Sequence, residues 1–498
     1  MKTRVMVAVA LTWAASAVQA QDARSVLEAA STALGAGTLR SLEFSARGSD
    51  FIFGQPYDGH SQWPRFSVPG MTMTIDFVTP ALRDDRRRQQ VQNPPLGGGF
   101  QPLIGELRQT WLLSGSYAWD VVGGNPVAAA AERDFRSAVD GRLAQVWLSP
   151  HGFVKAALAG APSLRTETVR GARKMVVTFK APNGARFEGV LNDAHVVERI
   201  ETWLDSPVLG DTKFEAIFSD YKEYGGIRFP GRIVQREGGY PVLDVVVTDV
   251  KPNVAVNIEV PAAIRQAVSA ASAPLNPEKL AEGVWLIPGA AKSVAVEFRD
   301  FVVVVDAPET EARSLLVLDA VRKVIPNKPI RYVVNTHHHF DHAGGLRTYV
   351  AEGTTVVTHV SNIPFYQQVW SNPRTLNPDR LAKVNRAAVF EGVVGARVLT
   401  DGARDLAIYH YAGNMHNAGM LMVFLPRERI LIEADSYTPP ANAGDPPGAV
   451  PNLVHFAEAV ERLRLDPEQV VPIHGRLVTY AEIRQAIDTF GGSQLFGR

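Results

Sequence analysis

The sequence predicts an α/β protein in which an antiparallel, mostly β N-terminal region precedes a layered α/β C-terminal domain. Three observations carry this. Between residues 21 and 265 many short segments alternate apolar and polar residues between Gly, Pro, Asn and Asp turns, the period-two pattern of half-buried strands. From about residue 278, near-continuous apolar runs such as "FVVVVDAP" alternate with amphipathic stretches such as "EARSLLVLDAVRKV". With 498 residues, 46% of them hydrophobic, the chain can bury more than one core, and two or three domains are expected.

Taken in order, residues 1–20 read as a secretory signal peptide. A basic "MKTR" precedes an apolar stretch too short to span a bilayer, and "VQA" offers small residues for cleavage after Ala20. No later segment resembles a transmembrane span, so the expected location is periplasmic or secreted. With no cysteine in the chain, disulfides, a lipid-anchor cysteine and thiolate ligands are all excluded.

Residues 21–265 open with a helical stretch, "ARSVLEAASTAL", and continue as strands such as "MTMTIDFV", "KMVVTFKA" and "LDVVVTDVKPN". The basic run Arg86, Arg87 and Arg88 reads as a solvated strand end, a helical interruption is expected near "AAAAERDFRSAVDGRLAQVW", and residues 93–102, "NPPLGGGFQP", are a loop by composition. Small residues and proline mark a linker over 266–277. Residues 278–498 then form the α/β domain.

Lys plus Arg and Asp plus Glu both number 51, so nothing in the charge points to nucleic acid or an acidic membrane surface. A small-molecule substrate fits better, and the chemistry concentrates in "VVNTHHHFDHAGG", residues 333–345. In an extended segment alternate side chains share a face, so His337, His339 and Asp341 are expected to converge while His338 points elsewhere and His342 joins through the turn. Imidazole nitrogens and carboxylate oxygens at this density suit a borderline cation such as zinc. Three further candidates follow apolar strands: His416 in "GNMHNAGM", Asp435 in "LIEADSY" and His474 in "VVPIHGR".

These residues resemble the metallo-β-lactamase superfamily, whose H-x-H-x-D-H pattern "THHHFDH" matches, with the later His, Asp and His in the family's order. The resemblance covers roughly residues 278–498. It implies a four-layer αβ/βα sandwich and a binuclear site, with His337, His339 and His416 on one metal, Asp341, His342 and His474 on the other, and Asp435 bridging. Two zinc ions are the implied cofactors, with iron or manganese as alternatives. The implied reaction is metal-dependent hydrolysis, in which a metal-bridging hydroxide attacks the carbonyl of a β-lactam, lactone or other ester- or amide-type substrate.

Asp341 is the candidate to orient the water and move a proton, and Tyr437 the candidate to donate to the oxyanion. Asp306, at the end of "FVVVVD", also resembles a family position and is expected to orient the site rather than ligate. His338, His359, His410 and His455 have no place in the pattern, and His60, His151 and His195 fall in the other region. Substrate choice is expected to come from residues 361–385 and 436–452, long loops rich in Pro and Asn that are expected to flank the metals.

The N-terminal strands are similar to the curved half-barrel of periplasmic lipoprotein carriers, which implies a possible apolar ligand. Two readings therefore compete with carbonyl hydrolysis: a periplasmic apolar-ligand binder with a vestigial metal site, and a phosphodiesterase of the same superfamily.

Overall fold

The structure, a computed structural model, describes residues 22–129, 137–169, 171–270, 274–448 and 450–494. The expected signal peptide lies outside the described residues, as does the 271–273 portion of the expected linker. None of the described helices is long and apolar enough to cross a membrane.

After a helix over 22–34, thirteen strands join in one sheet. Ser41–Phe51 lies near its middle, antiparallel to Arg65–Asp76 on one side and Tyr240–Pro252 on the other. The chain meanders outward from there to the edge strand Asn125–Ala128, then resumes at the opposite edge with Ser163–Val169 and works back to the centre. Helices Ala138–Trp147 and Pro150–Ala159 cover the sheet, so Val146, Trp147, Phe153 and Val154 share a core with Phe44, Phe187 and Phe214.

The arginine run is not a solvated strand end. It lies inside strand Ala81–Gln90, where positions 84, 86 and 88 share a face, and Arg88 is only 2% exposed. Arg86 Nη2 lies 2.6 Å from Asp84 Oδ2, Arg88 pairs with the buried Asp50, and both guanidiniums sit over the Trp111 ring at 5.0 and 4.8 Å. Asp84 on the same strand and Asp50 two strands away in the sheet make this burial tolerable.

Residues 278–479 build two further sheets, of seven strands up to Phe390–Val393 and of six from Ala396–Thr400 onward. The first is parallel from Val302–Val305 onward. Along that strand Val303 and Val305 join the core between the two sheets, while Val302 and Val304 join the core under helix Glu311–Val324. Helix Val450–Arg462 covers the second sheet with Leu453, Phe456 and Val460. The result is the expected helix–sheet–sheet–helix layering.

Two expectations about connections change. The stretch read as a linker begins inside a helix, Ala262–Ala270. Residues 361–385 are largely helical rather than a loop, through Ile363–Trp370 and Arg380–Val384, because Phe365, Tyr366 and Val369 bury an apolar face that the flanking Pro and Asn residues disguise. The two halves of the chain also share a core: Phe53 and Trp63 from the N-terminal region pack on Phe340, with ring centroids 5.5 and 6.0 Å apart.

Candidate metal centre

Chemistry-bearing residues gather where strands end. The parallel strands Val302–Val305 and Ile330–Val334 deliver Asp306 and the histidine motif to the same edge. His416 lies in the loop after Asp405–His410, while Asp435 and His474 follow the parallel strands Ile430–Glu433 and Gln469–Pro472.

Strand alternation is not what makes the motif converge. The strand ends at Val334, and Phe340–Ala343 is a single helical turn with His339 at its N-cap position. Asp341 and His342 reach the cluster from that turn.

Two groups result. His337, His339, His416 and Asp435 present ligand-type atoms within 4.8 Å of one another, and so do Asp341, His342, Asp435 and His474. Asp435 belongs to both, one oxygen to each. Its Oδ2 lies 2.9 Å from His416 Nε2 and 3.9 Å from His337 Nε2, and its Oδ1 lies 3.0 Å from His342 Nε2 and 3.5 Å from His474 Nε2. Asp341 Oδ2 is 3.4 Å from His474 Nε2 and 3.5 Å from His342 Nε2.

In three of the histidines the other ring nitrogen is tied down, which fixes the tautomer. His342 Nδ1 donates to Asp306 Oδ2 at 2.8 Å, His339 Nε2 to the Pro56 carbonyl at 2.8 Å, and His474 Nδ1 to the Ala290 carbonyl at 3.1 Å. Asp306 is held in turn by the Thr336 amide and hydroxyl, each at 2.8 Å. His337 Nε2, His339 Nδ1, His416 Nε2 and Asp435 Oδ1 are then buried without a hydrogen-bond partner. Three orphaned imidazole nitrogens facing one another, with the Asp435 carboxylate between them and the second group, are what a cation requires.

Electrostatics agree. Burial, reinforced by the neighbouring imidazoles, holds His337 and His339 well below the usual histidine range, so both are neutral. Burial opposes ionisation of Asp341 and Asp435, yet the adjacent histidines hold both carboxyls well below their usual range. Burial likewise opposes a charge on His342, but Asp435, Asp341 and Asp306 raise it well above the usual value. A field that attracts a proton this strongly attracts a metal ion to the same nitrogen.

Residues 286–474 match the family model of the Metallo-beta-lactamase superfamily. The C-terminal part of the chain is a metallo-β-lactamase superfamily domain. The chain is a metal-dependent hydrolase. Among solved structures, a metallo-β-lactamase from Pontibacter korlensis is 20% identical with a TM-score of 0.33, over 44% of this chain and 100% of that one. A metallo-β-lactamase from Hirschia baltica is 20% identical with a TM-score of 0.32, over 43% and 96% of the two chains. The mono-zinc form of the metallo-β-lactamase FIM-1 from Pseudomonas aeruginosa is 18% identical with a TM-score of 0.32, over 44% and 96%. No curated protein matches the chain.

Part of the site comes from outside the metallo-β-lactamase domain, and the sequence carried no sign of it. Gln55 Nε2 donates to Asp341 Oδ1 at 2.9 Å, and the neighbouring Pro56 carbonyl fixes His339. Gly98 sits so close that a Cβ there would lie 2.8 Å from Cε1 of both His339 and His416. Within the domain, the buried Lys292 donates to the carbonyls of Ile473 and Gly475 on either side of His474.

A cavity of about 700 Å³ opens above the cluster, lined by residues 99–104 on one side and by Ser436, Tyr437, Thr438 and Asn452 on another. Of the two stretches expected to set substrate choice, 436–452 lines this cavity and 361–385 does not. Tyr437 packs in the inter-sheet core at 4% exposure, and burial together with Glu482 raises its phenol above the usual range.

The histidines outside the pattern have structural partners. His338 is buried, edge-on to Phe365, with Nδ1 3.0 Å from the Asn417 amide nitrogen. His410 and His455 meet backbone carbonyls of Ala418 and Ala412, and His359 meets the Ser361 hydroxyl.

Proposed function

We propose that the chain is an exported, binuclear metal-dependent hydrolase that opens a carbonyl substrate, a lactone or β-lactam before other esters and amides. The observation that supports this most is Asp435, which turns one carboxylate oxygen to each of two ligand groups. His337, His339 and His416 would hold one cation, Asp341, His342 and His474 the other, with Asp435 between. Zinc fits this set best, with iron or manganese as substitutes. Bound there, divalent cations supply Lewis acidity and water acidified to near-neutral pKa.

The chain's own residues do the rest. Asp306 and Gln55 hold His342 and Asp341 in place before substrate arrives. With Oδ1 engaged by Gln55, Asp341 keeps Oδ2 turned to the His342 and His474 group, where it would orient the attacking water and is the candidate to guide its proton to the leaving group. Tyr437 lines the cavity and is the candidate donor to the developing oxyanion.

Metal analysis of the mature protein, residues 21–498, is expected to give two equivalents after reconstitution with zinc. Fewer than one would sink the reading. A panel of β-lactams, lactones, thioesters and phosphodiesters then tests the chemistry, and turnover of phosphodiesters alone would replace the carbonyl. Secretion with cleavage after Ala20 tests export.

The rival from another class is carriage of an apolar ligand by the N-terminal sheet. The roughly 130 Å³ space beside Trp111 is lined by Asp50, Asp84, Arg86, Arg88 and Glu237, which suits ion pairs rather than an acyl chain. A lipid retained through purification, with no turnover of anything, would favour that rival.

A further inference from the structure

We propose that the N-terminal loop over 99–104, rather than the metallo-β-lactamase domain, selects the substrate, and that it selects an uncharged molecule with an apolar substituent. This rests on the hydrolase reading above.

The cavity has the metal cluster as its floor, through Asp341, His416, Asp435 and His474. One wall is apolar: Ile52, Phe100, Pro102, Leu103 and Ile104, all from the N-terminal region. Phe100 and Ile104 keep 49% and 60% of their surface uncovered. Apolar side chains left open beside a catalytic cluster are the wall of a binding pocket rather than a core.

The described residues lining this cavity include neither Lys nor Arg, so a substrate carboxylate would find no counter-charge on its walls. Two cations beside His474 are engaged elsewhere, Lys292 by the Ile473 and Gly475 carbonyls and Arg476 by Glu482 and the Pro440 carbonyl.

The loop is built to keep its shape. Gly97 N donates to the Met415 carbonyl at 2.9 Å and Gly98 N to the Gln55 carbonyl at 3.0 Å, which ties the loop to both halves of the site. Gln101 is buried and donates through Nε2 to Gln92 Oε1 and the Leu96 carbonyl, at 2.8 and 3.0 Å. Between these anchors Phe100 is held at φ 85°, a conformation that side chains rarely adopt and that persists only where surrounding contacts impose it.

The test uses the zinc-loaded mature chain and γ-lactones with ethyl or octyl side chains, together with a carboxylate-bearing γ-lactone and its methyl ester. Expected is a kcat/KM at least about tenfold higher for octyl than for ethyl, a carboxylate at least tenfold poorer than its ester, and loss of the chain-length effect in Ile104→Asp. Calorimetry of the metal-free chain with cyclic ethers of the same two chain lengths reads the preference without turnover, and the octyl compound is expected to bind more tightly. Turnover with equal rates for ethyl and octyl, or with the carboxylate preferred, would overturn the proposal and leave the hydrolase standing. No turnover of any lactone, ester or β-lactam with zinc bound would overturn both.

Discussion

Gln55 and Asp341 are 286 positions apart in the chain, and the amide nitrogen of the first lies 2.9 Å from Oδ1 of the second. The bond joins the N-terminal region to a carboxylate of the metal cluster. Gln55→Ala is therefore expected to weaken metal retention and lower kcat by about 10–100-fold, the usual cost of losing a group that orients a ligand. Zinc competition with a chelator reads the first effect and steady-state kinetics the second; wild-type values for both would contradict the role.

Asp306 receives His342 Nδ1–H and two donors from Thr336. Its backbone, at φ 60°, tolerates asparagine. In Asp306→Asn the backbone stays as it is, but His342 loses the carboxylate that fixes its tautomer. The expected outcome is loss of one metal equivalent on dialysis, with the other retained. Retention of both would show that Asp306 is dispensable to the site.

His338 and His337 are neighbours with different tasks. His337→Ala removes an orphaned nitrogen from the cluster and is expected to abolish binding at that metal position. His338→Ala leaves the Asn417 amide without its partner and is expected to cost about 1–3 kcal/mol of stability while the metal content stays at wild type. Elemental analysis alongside denaturant melts separates the two, and metal loss in His338→Ala would refute the distinction.

His151 offers a pH test remote from the metals. Its ring is buried in the N-terminal core, stacked 5.8 Å from Phe229, with Nε2 3.1 Å from the Leu34 carbonyl, and burial pushes its pKa down to about 4. The unfolded chain, with an ordinary histidine near 6.5, binds the proton first as pH falls. Stability from the neutral ring is therefore complete above about pH 6.5 and is lost as pH falls towards 4, on the order of 3 kcal/mol in all. Denaturant melts of metal-free wild type and His151→Gln between pH 7 and 4.5 are expected to converge as pH falls. Parallel curves would remove His151 from the account.

Much of the domain was legible because its signals are local. Helix Glu311–Val324 coincides with the stretch read from "EARSLLVLDAVRKV", and buried strands such as Val302–Val305 announce themselves as unbroken valine runs. Residues 361–385 were misread because Pro and Asn are loop signals by frequency, whereas Phe365 and Val369 become a helix face only once there is something to bury them.

By itself the sequence determined the ligand chemistry, since imidazole and carboxylate side chains at strand ends are written residue by residue. Tertiary structure alone decided which nitrogen each histidine turns to the cluster, because that depends on partners such as Asp306, Pro56 and Ala290 brought from far along the chain. It also decided that Arg88 is buried, through an aspartate two strands away in the sheet, and that residues 93–102, a loop by composition, pass over the metal cluster. Periodicity records what a segment prefers to bury, but not which distant segment it meets; that is set by the packing of whole sheets against one another.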